Sequence, residues 1–457
     1  MTYPARGHRI DSTVTMLPGR PAQSATAPRV FDGQKVPVVD ENYYTETEYL
    51  LAGLADTYRG PVTGPITVDR VDVEYCTRIV VRRPADPHRF SGRILVEPFN
   101  TTFAEDRDAL WAQAGDLLQD NGDGWIGVSV RQLSVEALRR ADTARYADLS
   151  IEGNDLVWSI LSHLAVLIRR HELLPEVRYI YLGGYSQSAL DTATFATLFG
   201  ATEPGCPPLF DGYLPVAHAA SFTAVSSADG LPSRENAVMA PVGVPVIDVQ
   251  PQSDVEGFTA EFGQHQLTIA GSASVRRDDS DTPADRYRLY ELPGAPHARC
   301  VDGCVGDESD FPTAAFVRAA LQSLCRWSES NIAPPHAPRI TLSQLGPVSV
   351  AAVDDLGNPL GGIRAPQLQV PLARYTAHST PGPLCALAGA TIPLPLNVLR
   401  ARYGDSTGYL QQFGAALAGT VEAGFLLVED VFALMVAAEA AARIAFDADR
   451  RLELDSP

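Results

Sequence analysis

The stretch from Arg178 to Ala189 reads R-Y-I-Y-L-G-G-Y-S-Q-S-A. An apolar, aromatic-rich run ends at Gly183-Gly184, and the helix-like segment Ala189 to Phe199 follows it. Ser186 falls at the tight turn between them. A serine on such a strand-to-helix turn is presented beyond the sheet, with helix N–H groups close to its side-chain oxygen. Gly184, Tyr185, Ser186 and Gln187 fit the pattern G-x-S-x-G, while Ser188 replaces its last glycine and Ala189 comes next. The turn needs small residues where the helix backs onto the strand, and serine is the next size up. The competing reading is that Ser186 only caps the helix, since serine is a favoured N-cap.

A nucleophilic serine needs a base, and the base needs an orienting acid. On an elbow of this kind they follow in chain order as serine, acid, histidine. Downstream of Ser186, the segment Tyr287 to Leu292 alternates as a half-buried strand does, then breaks at Pro293-Gly294-Ala295-Pro296. His297 follows and is the candidate base. His265, in a Gln-flanked polar stretch, and His336, in A-P-P-H-A-P, read as solvated. For the acid, Val244 to Asp254 reads as a buried parallel strand and a polar turn. Asp254, just past the strand end, is preferred over Asp248, which falls inside the strand, where an unpartnered carboxylate is costly. The oxyanion hole is expected to use the backbone N–H of Gln187 and a second donor after the strand in Arg93 to Thr102, from Asn100 or a neighbour. Tyr185, Phe99 and His218 lie near strand ends and are candidates for the substrate pocket. Arg364 reads as a surface ion pair.

The chain has 457 residues, a formal net charge of -19, 45% apolar and 20% charged residues, ordinary proportions for a globular protein. So acidic a surface repels phosphates and anionic headgroups, so no nucleic-acid or membrane partner is expected. The amino terminus lacks the apolar core of a secretory signal, and no uncharged run is long enough for a span. The six cysteines are too few and scattered for a disulfide scaffold, and Cys300 and Cys304 lack a second pair for zinc. A reduced, cytoplasmic protein with no metal or organic cofactor is expected; its oligomeric state stays open.

The organisation has three parts. Residues 1–42 are rich in Pro, Ser, Thr and Ala and read as an irregular leader. Between 43 and 333, strands alternate with amphipathic segments, predicting a mostly parallel sheet with helices on both faces. The strands are Arg78 to Val81, Arg93 to Val96, Trp125 to Val130, Tyr179 to Leu182, Gly212 to Val216, Val244 to Val249 and Tyr287 to Leu292, with a helix at Thr313 to Ser328. Beyond a proline-rich break, 334–457 is a C-terminal accessory region: extended stretches at Val348 to Val353 and Gln367 to Leu372, and helices at about 406 to 418 and 427 to 447. It either caps the active site or packs on the core.

Several blocks in order resemble the bacterial "alpha/beta hydrolase domain" family of serine esterases, whose elbow is G-x-S-Q-S. Y-Y-T-E-T-E-Y-L-L-A-G-L-A-D-T-Y (Tyr43 to Tyr58) is similar to its amino-terminal pattern, and V-E-P-F-N-T-T (Val96 to Thr102) to its V-E-W-x-N-x-T. The block Ala144 to Ser162, the histidine segment Tyr287 to Ala298, G-G-I-R-A-P (Gly361 to Pro366) and E-A-G-F-L-L-V-E-D (Glu422 to Asp430) also match. The resemblance covers roughly residues 43 to 447. It departs at Gln252, where the family usually has glutamate two residues before the aspartate position held by Asp254. It departs again at Trp158, which stands for an aspartate. The resemblance implies an α/β-hydrolase fold and a carboxylic ester hydrolase acting on a small-molecule ester or acyl substrate through Ser186, His297 and Asp254. An acyltransferase or carboxylate-eliminating lyase using the same site, and a non-catalytic ligand-binding protein on this scaffold, are the alternatives.

Overall fold

Ten strands form one sheet: β1 Thr13–Met16, β2 Tyr44–Ala55, β3 Val73–Pro84, β4 Arg93–Pro98, β5 Gly124–Val128, β6 Tyr179–Tyr185, β7 Gly212–Val216, β8 Pro245–Pro251, β9 Ser280–Thr282 and β10 Asp285–Leu292. Their order across the sheet is β1-β2-β3-β5-β4-β6-β7-β8-β10-β9. From β5 to β10 the neighbours run parallel, and antiparallel strands flank this centre on both sides. The computed structural model describes residues 12–17, 39, 43–201, 207–226, 237–262, 265–299, 304, 308–344, 349–379 and 384–447.

The central strands are buried on both faces, so they read as continuous apolar runs. Successive residues nevertheless serve opposite layers. Leu95, Tyr181, Leu214 and Ile247 pack with the helices Ala109–Asn121 and Thr313–Ser330. Ile94, Ile180, Leu182, Tyr213 and Val246 pack with Val157–Arg169 and Gln187–Phe199. The expected doubly covered sheet is therefore present: β7 matches the sequence reading, β5 ends at Val128 instead of Val130, the other strands read from sequence run longer, and β1, β2 and β9 were not read as strands.

The acidic pattern in Tyr43 to Tyr58 becomes intelligible here. Glu46 sits opposite Arg82 in the β2–β3 register and pairs with it at 2.8 Å, while Glu48 reaches Arg78 at 3.0 Å. Arg78 is fully buried and also holds Asp106 at 2.9 Å, and Arg82 holds Asp108 at 2.6 Å. Arg145 and Tyr146 complete the set around Glu48. Strands and loops are thus joined by a network in which each buried charge has a partner, the condition under which buried ions are tolerated. It fixes the loop that follows β4.

Thr13–Met16, inside the expected irregular leader, is an edge strand on β2, and most of the remaining leader lies outside the described residues. In the accessory region Gln367 to Leu372 is not extended: Pro366 opens a short helix, Pro366–Gln369, because its fixed φ suits the first helical turn. The strand comes later, at Ala373–Thr376, paired with Ala390–Pro393. Within Val348 to Val353 only Val350–Ala351 is strand, and residues 345–348 lie outside the described residues. The two expected helices occur as Ser406–Glu422 and Val431–Phe446, preceded by a helix Leu396–Tyr403 not read from sequence. These helices join the core layer of Thr313–Ser330, and the Arg318–Asp430 ion pair ties the two regions together. A disulfide joins Cys304 to Cys385, correcting the expectation of reduced cysteines. Its partners are 81 residues apart, so their spacing carried no signal. Among the described residues no helix is long and apolar enough to cross a membrane.

Candidate active site

Strand β6 delivers Ser186 at its carboxyl end with φ 59° and ψ -124°, after which the helix begins at Gln187. A positive φ at a non-glycine residue costs of order 1–3 kcal/mol and persists only where its surroundings enforce it. They do so through small residues. A Cβ on Gly184 would lie 2.4 Å from the Ser188 carbonyl oxygen, so the strand and helix backbones meet there. Ser188, fully buried, accepts the Tyr185 N–H at 3.0 Å and donates to the Tyr185 carbonyl at 3.1 Å. The serine in the motif's last position thus closes the elbow with its own hydroxyl. No side-chain cap bond from Ser186 to its helix is formed, contrary to the capping reading.

The acid and base arrive on adjacent parallel strands. β8 and β10 stay in register to Pro251↔Leu292, and both turns then leave at the same end as the elbow. Ser186 Oγ lies 2.7 Å from His297 Nε2, and His297 Nδ1 lies 3.0 Å from both carboxylate oxygens of Asp254. Asp254 and His297 are buried, at 1% and 4% exposure. Because an ionised carboxylate only accepts, this geometry selects the tautomer with the proton on Nδ1 and leaves the Nε2 lone pair toward the Ser186 hydroxyl. Ser253 Oγ donates to Asp254 at 2.9 Å, and the Phe258 ring stands 5.3 Å from the imidazole. Neither residue was singled out from sequence, since a serine beside the acid and a phenylalanine near the start of the next strand, Gly257–Phe262, carry no distinctive pattern.

The other candidates take different places. Asp248 is inside β8 and is fully partnered: His218 Nε2 at 3.1 Å, Tyr287 OH at 2.9 Å and Gln250 Nε2 at 2.6 Å. His218 is 2% exposed and its Nδ1 meets the Ser221 carbonyl, so it belongs to this internal network and not to a pocket wall. Burial opposes the charged form of His218, but the Asp248 carboxylate, the Ser221 carbonyl and Asp254 together hold the His218 pKa above the ordinary value. Phe99 is likewise fully buried, edge-on to Trp125 and beneath Arg78, so it too lines no pocket. Tyr185 is buried and donates its hydroxyl to the His297 carbonyl at 2.8 Å, bracing the histidine loop. Asn100 needs correction as an oxyanion donor, because its N–H is bonded to the Arg107 carbonyl at 2.9 Å. Its side-chain amide instead donates to the Tyr185 carbonyl at 3.0 Å. The Gln187 N–H has no acceptor among the described residues.

Gln252, in the family's glutamate position, accepts the Gly294 N–H at 2.7 Å and donates to Glu256 at 3.0 Å, so it ties the acid turn to the histidine turn. Trp158 donates to the Val225 carbonyl at 2.9 Å and stacks on Phe199. His336 is exposed between Asp279 and Asp281, the side chain of His265 lies outside the described residues, and Arg364 pairs with Asp354 at 2.9 Å. A cavity of about 950 Å³ lies between Thr313–Ser330 and the accessory helices, lined by groups such as Tyr375, Phe413 and Leu434, and no triad candidate lines it. The described residues contain no cluster of His, Cys, Asp and Glu suited to a metal.

The alpha/beta hydrolase domain family matches residues 18–436. The chain belongs to that family. No curated protein sequence matches it. Among solved structures, Est1E from Butyrivibrio proteoclasticus with ferulic acid bound is similar at 10% identity and TM-score 0.31, over 54% of this chain and 95% of that one. A methylesterase is similar at 15% identity and TM-score 0.30 over 48% of this chain, which spans only 44% of that protein. An alpha-beta serine hydrolase homologue from Coxiella burnetii shows 13% identity and TM-score 0.24, over 43% and 73% of the two chains. Within an α/β-hydrolase fold, the strand order and the elbow place Ser186, Asp254 and His297 at the carboxyl end of the parallel sheet, where ligands of open α/β folds bind.

Proposed function

We propose that this member of the alpha/beta hydrolase domain family is a serine hydrolase that cleaves carboxylic esters. The observation that carries the reading is the continuous chain Ser186 Oγ, His297, Asp254 at 2.7 Å and 3.0 Å, on a serine with positive φ. Ser186 attacks the acyl carbon as His297 Nε2 takes its proton. Asp254 keeps the ring oriented and stabilises the imidazolium. The developing oxyanion is met by the Gln187 N–H at the start of the helix, with a second donor from the loop after β4. The imidazolium then protonates the leaving alcohol, and water activated by the same nitrogen releases the acid. The substrate is a small-molecule ester, and the site is assigned no metal or organic cofactor.

Rapid acid quench during turnover of p-nitrophenyl acetate, followed by peptide mapping, tests the reading. It predicts a 42 Da acetyl adduct, about the mass of the transferred acyl group less one hydrogen, on Ser186. Turnover that persists in Ser186→Ala would refute it.

A further inference from the structure

Beyond the triad, the loop after β4 shows which of its N–H groups is available to a substrate. Phe99 donates to the Val128 carbonyl at 2.9 Å, Asn100 to the Arg107 carbonyl at 2.9 Å, and Thr102 to the Asn100 side-chain oxygen at 3.0 Å. These acceptors belong to the sheet or to the loop itself. Thr101 alone among the four donates across to the elbow, where its N–H meets Gln187 Oε1 at 3.1 Å, with its hydroxyl 3.4 Å from the same oxygen.

The acceptor is an amide oxygen on the residue after the nucleophile. Its orientation is set from both ends, because Thr101 supplies an N–H donor and Gln187 Nε2 faces the Asp191 carboxylate at 3.3 Å. Asp191 is fully buried, held by Arg131 and by Thr223 Oγ1 at 2.6 Å. The loop itself is fixed by the Arg78–Asp106 pair and by the reciprocal Asn100–Arg107 backbone bonds. In this arrangement the Gln187 side chain is half-buried, whereas the Asp191 it faces is fully buried.

We propose that the Thr101 N–H is the second oxyanion donor and that the Gln187 side chain is a displaceable plug, its amide oxygen occupying that donor until an acyl oxygen replaces it. The proposal rests on the serine-hydrolase reading of the site. Gln187 then has two parts in one residue. Its backbone N–H stabilises the oxyanion, and its side chain keeps the hole satisfied in the resting protein, sparing a backbone donor the cost of standing unpaired. A substrate exchanges one carbonyl acceptor for another, so the hole opens to a group able to accept from both N–H donors. This specifies acyl groups whose oxygen develops negative charge and disfavours apolar ligands that only fill the space.

The test compares wild type, Gln187→Ala and Gln187→Met, all checked for an unchanged unfolding midpoint. Two quantities are read: kcat/KM for p-nitrophenyl acetate and the inhibition constant of phenylboronic acid, whose tetrahedral adduct carries an anionic oxygen. Removal of the plug is expected to raise kcat/KM and tighten the boronic acid by about 2- to 10-fold in both variants, the factor equivalent to one net hydrogen bond. A purely structural role for the side chain lowers both. Unchanged or weakened values with hydrolysis still dependent on Ser186 would overturn the plug and leave the serine reading standing. Hydrolysis undiminished in Ser186→Ala would overturn both.

Discussion

Two aspartates six residues apart, Asp248 and Asp254, illustrate how placement decides chemistry at the scale of single residues. Asp248 has three side-chain partners inside the sheet, whereas Asp254 has a serine on one side and His297 on the other. Asp254→Asn is expected to lower kcat on the order of 10³- to 10⁴-fold while the fold survives, because the amide cannot hold the required tautomer. Asp248→Asn should leave kcat within a few fold but cost about 1–3 kcal/mol in urea unfolding, since it disturbs buried partners. Steady-state kinetics and equilibrium unfolding of both variants check the contrast. The triad candidates were legible in sequence because the histidine and acid each stand just past a recognisable strand. The partner of Asp248 was not legible, because His218 lies 30 residues away and meets it only through strand pairing. The loop after β4 was singled out from sequence, but the use of each N–H in it was not legible, because it depends on how the loop turns upon itself: Asn100 donates back to Arg107 and Thr101 across to the Gln187 side chain.

Among the elements, the turns carrying Asp254 and His297 are held by the accessory region. His378 Nε2 lies 3.1 Å from Glu256 Oε2, and its Nδ1 lies 2.8 Å from the Ala386 carbonyl. The Ala298 N–H, next to His297, donates to the Leu387 carbonyl at 2.8 Å. Burial opposes the charged form of His378, yet Glu256, the Ala386 carbonyl and Asp254 hold its pKa above the ordinary value. Burial also opposes ionisation of Glu256, but His378, the Ala351 N–H and Gln252 hold its pKa below the ordinary value. A raised histidine contributes stability in full below about pH 6.5 and loses it as pH rises through the folded value. A depressed glutamate contributes in full above about pH 4.3 and loses it as pH falls through the folded value. The pair therefore stabilises most between about pH 4.3 and 6.5. Thermal unfolding of Glu256→Gln should fall furthest below wild type near the middle of that range and approach it at pH values well above the folded histidine pKa; a deficit independent of pH would contradict the pair.

Taken as a whole, the molecule is a sheet whose reactive end is braced by a region more than eighty residues further along the chain. The Cys304–Cys385 disulfide closes an 81-residue separation between the segment after His297 and that region. Cys304→Ser is expected to cost about 2–4 kcal/mol in denaturant unfolding, and dithiothreitol should reproduce the loss in wild type but not in the variant. The alternating core was readable because a parallel sheet imposes apolar runs of fixed length on its strands. The accessory region was read less well, since its 366–369 helix packs on Ser406–Glu422 and Ala373–Thr376, and its short strands pair with one another, none of which follows from a local period. Likewise, Glu46 and Glu48 stood out as a pattern before Arg78 and Arg82 gave them a purpose.

The central claim is that Ser186 is made nucleophilic by His297. It is tested most directly by treating the intact protein with a fluorophosphonate probe and mapping the modified residue by mass spectrometry in wild type, Ser186→Ala and His297→Ala. The account predicts labelling confined to Ser186, absent in Ser186→Ala and slowed by at least about 10³-fold in His297→Ala. Labelling at another residue, or labelling of Ser186 at an unchanged rate without His297, would contradict it.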